Sequence, residues 1–161
     1  MKEGHFKRSK LAEFMTFDQY TEINRRITAK VNNPYPVQWK DRLSSSTGHN
    51  LLCRIVTDTI KAFGWQAEKI NTTGWMKPVE HRDVLGRLQV VEKRYRPTTG
   101  TPGSSDISST IKGRSVKIEC KTGSGRQSDD QRRYQQDVES AGGIYVVCRH
   151  VDDIWPLVAE S

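Results

Sequence analysis

Between residues 100 and 148 the sequence alternates turn, strand, tight turn, strand, loop, capped helix and strand, and this succession constrains the fold more than any other stretch. A Gly/Pro-rich turn leads into residues 106–111, which read as a short strand. Lys112-Gly113 has the composition of a two-residue hairpin turn, and residues 115–122 return as the partner strand. Alternation on the return strand places Val116, Ile118 and Cys120 on one face and Lys117, Glu119 and Lys121 on the other. After the loop TGSGRQ, Ser128 and Gln131 have capping-box spacing, with Asp129 and Asp130 in the first turn, where the helix dipole favours acids. Tyr134 and Val138 are the expected buried face of this helix, and Ala141-Gly142-Gly143 ends it. Residues 144–148 form a continuous apolar run, the pattern of a strand in the middle of a sheet covered on both faces.

Upstream, residues 1–10 are basic and polar and are expected to fray. Residues 11–30 have helical periodicity through Leu11, Phe14, Met15, Tyr20, Ile23 and Ile27, with a second helix start at Thr16 and Gln19. Prolines, asparagines and serines then break the pattern, so residues 1–44 read as an appendage and residues 45–161 as the main domain. A clear amphipathic helix follows through Leu51, Leu52, Ile55, Val56, Ile60 and Phe63, stopped by Gly64. Residues 65–72 read as a strand, 74–90 as a long irregular connection or partial hairpin, and 88–96 as a strand. The order of helices and strands predicts an α/β fold with a small mixed sheet flanked by helices.

At 161 residues, 34% hydrophobic and 28% charged, the chain has the size and balance of a folded domain rather than a disordered segment. The net charge of +7 favours a polyanionic partner, most simply nucleic acid. The cysteines Cys53, Cys120 and Cys148 are odd in number and form no C-x-x-C pair. That pattern argues against a disulfide framework or a zinc cluster and fits a reducing compartment; each cysteine lies in an apolar run and reads as a buried small hydrophobe. No run is long enough to span a membrane and no apolar leader follows the charged N-terminus, so the expectation is a cytoplasmic protein without a membrane partner.

The chemistry concentrates where the two strands of the proposed hairpin face each other. Magnesium takes oxygen ligands, usually one or two carboxylates plus waters and substrate oxygens, and Asp106 and Glu119 offer the carboxylates. Lys121 lies on the face of Glu119, roughly 6.5–7 Å further along the strand. The peptide carbonyl of Cys120, between them, is a further candidate oxygen ligand. An E-x-K pair on a strand is most often two solvated charges, and an aspartate after a Gly/Pro turn is common turn chemistry. Their conjunction with a capped helix immediately after is what raises the pattern above that background.

These residues resemble the PD-(D/E)-x-K nuclease superfamily and, within it, the VRR-NUC (virus-type replication-repair nuclease) domains. The resemblance rests on GTPGSSD ending at Asp106, on Ile118-Glu119-Cys120-Lys121, on the GRQS loop with Gln131 and Tyr134, and on AGGIYVV; it extends upstream to the Phe63-Gly64 helix end and the turn at 71–74, covering about residues 47–151. It implies a restriction-endonuclease-like αβββαβ core and a metal-dependent DNA endonuclease of phage or mobile-element type, selective for branched structures. Asp106 and Glu119 would bind Mg²⁺ or Mn²⁺, Lys121 would orient the attacking water, and Gln131 would support the site. One departure stands out: many members carry a glutamate on the first core helix, where this chain reads Gly48-His49-Asn50, with Asp58 the nearest acid. Either the site has one acid fewer, or His49 or Asn50 takes part through water, or Asp58 substitutes, although a surface role is the more common fate of such a histidine.

Arg126, Arg132, Arg133, Lys112 and Arg114 are candidate phosphate contacts, and the stretch 74–97 interleaves Lys77, Arg82, Arg87, Lys93, Arg94 and Arg96 with Trp75 and Tyr95, as a DNA-facing loop does. Cutting both strands of a duplex with one site per chain calls for two sites, which suits a homodimer. The rival readings are a non-catalytic nucleic-acid-binding module with the same fold and a small acid–base enzyme using Glu119 and His49.

Overall fold

A computed structural model describes residues 1–31, 47–70, 75–96 and 100–159 of the chain. The linker expected over residues 32–44 and the turn at 71–74 lie outside the described residues.

The chain is a mixed α/β protein. In order it forms α1 (Glu3–Phe6), a 3-10 turn at Lys10–Glu13, α2 (Phe17–Val31), α3 (Thr47–Ala62), β1 (Gln66–Lys69), β2 (Trp75–Arg82), β3 (Leu88–Arg96), β4 (Ile107–Ile111), β5 (Arg114–Cys120), α4 (Asp129–Ser140), β6 (Ile144–Cys148), a second 3-10 turn at Val151–Asp153 and α5 (Trp155–Ala159). Four strands make an open sheet in the order β1-β4-β5-β6, antiparallel except for the parallel pair β5–β6.

The apolar spacing read from the sequence becomes the core. Leu52, Ile55, Val56 and Ile60 of α3 are fully buried, each contributing about 1.5–3 kcal/mol of apolar burial. The hydroxyls of Thr57 and Thr59, buried on the same helix, bond back to the carbonyls of Cys53 and Ile55 at 2.8 and 2.7 Å, so no polar cost offsets that burial. Val116, Ile118 and Cys120 of β5 belong to the same cluster, on the sheet face that α3 covers. The opposite face of β5, carrying Glu119, lies under α4, whose Tyr134 packs edge-on against Tyr145 of β6 at 6.3 Å. The β4–β5 turn follows the expected chemistry: Lys112 and Gly113 both have positive φ, 51° and 76°, as a tight hairpin turn requires.

Four expectations are corrected. Residues 1–10 do not fray: Phe6 is 2% exposed and stacks among Phe17 and Tyr20. Phe6, Leu11, Phe14, Met15, Tyr20 and Ile23 join the same core cluster as α3 and β5, and the Val151 amide donates to the Phe14 carbonyl at 2.7 Å. For residues 74–90 the irregular connection is excluded and the hairpin alternative forms: β2, bulged at Val79/Glu80, turns back into β3 to make a separate two-stranded ribbon outside the main sheet. The apolar strand β6 is an edge strand, not a central one. Finally, α4 has no fully buried residue: Tyr134 and Val138 are on its sheet-facing side, as expected, but only half-buried. The helix start at Thr16 holds: its hydroxyl accepts from the Gln19 amide at 3.2 Å, and the Gln19 side chain accepts from the Thr16 amide at 2.8 Å.

Among the described residues, no helix is long and apolar enough to cross a membrane.

Candidate functional site

Strand register builds the site. Ile107 pairs with Ile118, so Asp106, one residue before β4, falls beside Glu119. The Cys120 amide donates to Asp106 Oδ2 at 2.9 Å, which fixes the aspartate at the end of the sheet. Glu119 is 2% exposed and lies on the α4 face. An ordinary E-x-K pair would be solvated; this one is buried. Lys121 Nζ sits 2.8 Å from Glu119 Oε1, and its side chain is 16% exposed.

Gln131 ties these groups to α4. Ser128 caps the helix through a full capping box, in which Gln131 Oε1 accepts from the Ser128 amide at 3.0 Å. The same Oε1 accepts from Lys121 Nζ at 3.0 Å, while Gln131 Nε2 donates to Glu119 Oε1 at 2.6 Å. One amide thus caps the helix, orients the lysine and neutralises part of the acid. The loop between β5 and α4 is held from below by Arg149, whose guanidinium donates to the carbonyls of Gly123 and Gly125 at 2.9 and 2.6 Å. On the other side, Gly103 passes so close to α4 that an added Cβ would lie 2.3 Å from the Asp130 carbonyl. The Asp106 turn and the Gln131 helix start are therefore pressed together.

The first core helix supplies His49. Its Nε2 is 3.1 Å from Asp106 Oδ2. Of the three candidates for the missing helix acid, only His49 is brought to Asp106. Asn50 instead accepts from Lys69 of β1 at 2.7 Å. Asp58 pairs with Arg54 at 3.8 Å, nine residues and so about 13 Å further along the helix axis. Cys53, one turn after His49, has its Sγ 3.8 Å from both ring nitrogens. Sequence spacing alone treated Cys53 as packing. The usable signal was the His-x3-Cys interval, which places both side chains on one helix face towards Asp106.

The electrostatics follow from burial and partners. Burial pushes the Glu119 carboxyl above its ordinary value; the bond from Lys121 opposes this without cancelling it, and the nearby Asp106 charge adds to the rise. Burial also pushes Asp106 up, but the hydrogen bonds from His49 and the Cys120 amide outweigh it and leave Asp106 below the usual carboxylate value. His49 is raised from 6.5 to about 10, first by its bond to Asp106 and then by Cys53, so the pair is imidazolium and carboxylate at neutral pH. The neighbouring Cys120 thiol and then His49 pull the Cys53 thiol below its ordinary value against its burial, and Cys53 together with burial pushes Cys120 up. All three cysteines are free and buried.

Glu119 Oε2 is buried and has no hydrogen-bond partner among the described residues. An ionised oxygen left bare in the interior costs several kcal/mol unless a cation or water meets it, which is what a hard divalent ion in a carboxylate site does.

The basic residues divide. Arg132 and Arg133 pair with Asp129 and Asp130 one turn back on α4. Lys112 and Arg114 lie at the far end of the β4–β5 hairpin, about 17 Å from the acids at five residues of antiparallel strand. In the ribbon, Arg87 pairs with Asp83 at 2.9 Å and Arg82 donates to the Gly86 carbonyl at 3.1 Å, framing a tip with Val84 and Leu85 exposed. The side chains of Trp75, Lys77, Lys93, Arg94, Tyr95 and Arg96 lie outside the described residues. Neither a scan against models of known protein families nor a search of curated proteins finds a match for this chain.

Proposed function

We propose that the chain is a metal-dependent nuclease of the PD-(D/E)-x-K, VRR-NUC-like type, hydrolysing phosphodiester bonds in DNA with Mg²⁺ or Mn²⁺. The observation that carries the proposal is the buried Glu119 carboxylate, bare at Oε2, set beside Asp106 and clamped to Lys121 and Gln131. The order α3-β1-β4-β5-α4-β6, with the ribbon inserted between β1 and β4, fits an αβββαβ core.

Asp106, Glu119 and the Cys120 carbonyl would hold the ion. Once bound, such an ion lowers the pKa of a coordinated water and acts as a Lewis acid on the phosphate. The protein's own groups do the rest. Lys121 has two of its N–H directions fixed by Glu119 and Gln131, which leaves the third for a phosphate oxygen or the attacking water. His49 holds Asp106 in place and offsets its charge while no cation is present. The net charge of +7 favours a polyanion and gives binding that weakens with salt. A cytoplasmic setting and action as a homodimer on duplex or branched DNA belong to the same reading.

The test is cleavage of plasmid and branched DNA with Mg²⁺ or Mn²⁺. Asp106→Ala and Lys121→Ala are expected to lower the rate by at least about a hundredfold; unchanged activity in either overturns the assignment. A second reading, a DNA-binding module without cleavage, is favoured by the His49–Asp106 pair, which occupies Asp106 Oδ2. It predicts salt-sensitive DNA binding, no metal-stimulated cleavage, and no Mn²⁺ binding that depends on Glu119.

A further inference from the structure

The hard-cation chemistry of Asp106 and Glu119 has no use for sulfur, yet a thiol faces the same aspartate. His49 and Cys53 lie four residues apart on α3, so they share a face, and that face meets Asp106 at the end of the sheet. His49 Nε2 is 3.1 Å from Asp106 Oδ2, Cys53 Sγ is 3.8 Å from the imidazole nitrogens, and one donor atom from each residue lies within 4.8 Å of the other two. A tetrahedral zinc-like ion, with bonds of about 2.0–2.3 Å, holds its ligand atoms roughly 3.3–3.6 Å apart. The His49–Asp106 and His49–Cys53 spacings lie within tenths of an ångström of that range, and closing Cys53 onto Asp106, within 4.8 Å, needs a movement of at most about 1.2 Å, which a side-chain rotation can supply. Cys53 is fully buried, the Asp106 side chain is 15% exposed and that of His49 is 39% exposed. An ion there would be backed by protein on the sulfur side and open to solvent on the histidine side.

We propose that His49, Cys53 and Asp106 form a site for a thiophilic divalent cation of the Zn²⁺ class, three protein ligands with a fourth position open. Sulfur and imidazole select such ions and disfavour Mg²⁺ and Ca²⁺. Binding takes Cys53 as the thiolate and releases to solvent the proton shared between His49 and Asp106, with whatever proton remains on the thiol. Asp106 belongs both to this site and to the carboxylate site with Glu119, so a zinc-class ion competes with a magnesium-class ion for its oxygens. That consequence, and only that one, rests on the nuclease reading: a zinc-class ion would lower the activity of the enzyme. The spacing of the cysteines in the sequence argued against a cysteine-built zinc cluster; this site needs only one of them, brought to its partners by the fold.

The test uses the reduced full-length chain, stripped with chelator, without DNA, and titrated with Co²⁺ as a spectroscopic stand-in for zinc. The expected result is a near-ultraviolet thiolate-to-cobalt charge-transfer band with visible bands of four-coordinate intensity, saturating at one ion per chain and abolished by Zn²⁺. Cys53→Ser removes the charge-transfer band, Cys148→Ser keeps it, and His49→Ala weakens Co²⁺ binding at least tenfold. No charge-transfer band in the wild-type chain overturns the proposal, as does a band that survives Cys53→Ser or an affinity unchanged in His49→Ala. Circular dichroism confirms folding of each variant. Should Cys53→Ser not fold, the wild-type spectrum and the half-exposed His49 position still decide. Cleavage plays no part in this readout, so failure of the nuclease reading would leave it intact.

Discussion

Gln131 is where one substitution tests both the fold and the site. Replacing it with alanine keeps the Ser128 hydroxyl bond to the backbone at position 131, since that uses the amide N–H. It removes the return bond to the Ser128 amide and the 2.6 Å bond to Glu119 Oε1. A bond to a charged group contributes about 1.5–3 kcal/mol. Glu119, with its side chain 3% exposed, has little water to replace it, which places the loss towards the upper part of that range. The lost half of the capping box adds about 0.5–1 kcal/mol, and the better helix propensity of alanine returns a few tenths. Lys121 retains Glu119 and is not counted. Gln131→Ala should therefore cost about 2–4 kcal/mol, equivalent in a domain of this length to a fall of roughly 5–12 °C in Tm. Urea unfolding followed by circular dichroism, in chelator at neutral pH, measures it; the slope with denaturant should be unchanged. Gln131→Glu supplies a control: its carboxylate can accept from Ser128 and Lys121 but faces Glu119 with a second negative charge, so it should be no more stable than the alanine variant. A loss below about 1 kcal/mol for Gln131→Ala would refute the claim that the amide bridges helix and acid.

Two further outcomes follow from the same geometry. The His49 imidazolium is favoured in the folded protein, so its pairing with Asp106 stabilises fully below about pH 6.5 and is lost as pH rises towards 10; Asp106, held low, keeps its side of the pair at every pH above its unfolded value of 3.8. In chelator, the difference in urea midpoint between the wild type and His49→Ala should be largest from about pH 4 to 6.5 and shrink above it, and a difference that does not vary with pH would remove the ion pair. Gly103→Ala must accommodate a Cβ 2.3 Å from the Asp130 backbone and an unfavourable φ of 76°. It should lose at least about 2 kcal/mol by urea unfolding, and wild-type stability would show that the turn and α4 are free to separate.

What was legible in the sequence was whatever local chemistry decides. The Lys112-Gly113 turn, the Ser128–Gln131 capping box and the strand over residues 88–96 stand where the pattern put them, because turn φ values, cap bonds and period-two alternation are set within a few residues. What was not legible depends on partners distant in sequence. The strand β2 was obscured by Pro78, which looks like a breaker; it is tolerated because the ribbon has only two strands and a bulge follows directly at Val79/Glu80. The apolar run of β6 suggested a central strand, but helices and the C-terminal turn cover an edge strand just as well. Phe6 carried too little periodicity to announce a buried residue. In the site, Asp106, Glu119, Lys121 and Gln131 were readable as a group, since one hairpin and the next helix hold them all. His49 was readable only as one of three candidates for the missing helix acid and Cys53 not at all, because only the packing of α3 across the sheet brings them to Asp106.

The ribbon leaves the sheet after β1 and returns just before β4, and the Ile70 amide bonds to the Asp106 carbonyl at 2.7 Å across its base. Among the described residues the strands of the ribbon pair only with each other, whereas the return segment is built into the fold: Gly103 presses on α4 and Ser105 is buried beside Asp106. A graft of a different ribbon in place of residues 75–96 would therefore have to keep the Gly103 turn that seats the Asp106 end of the sheet against α4.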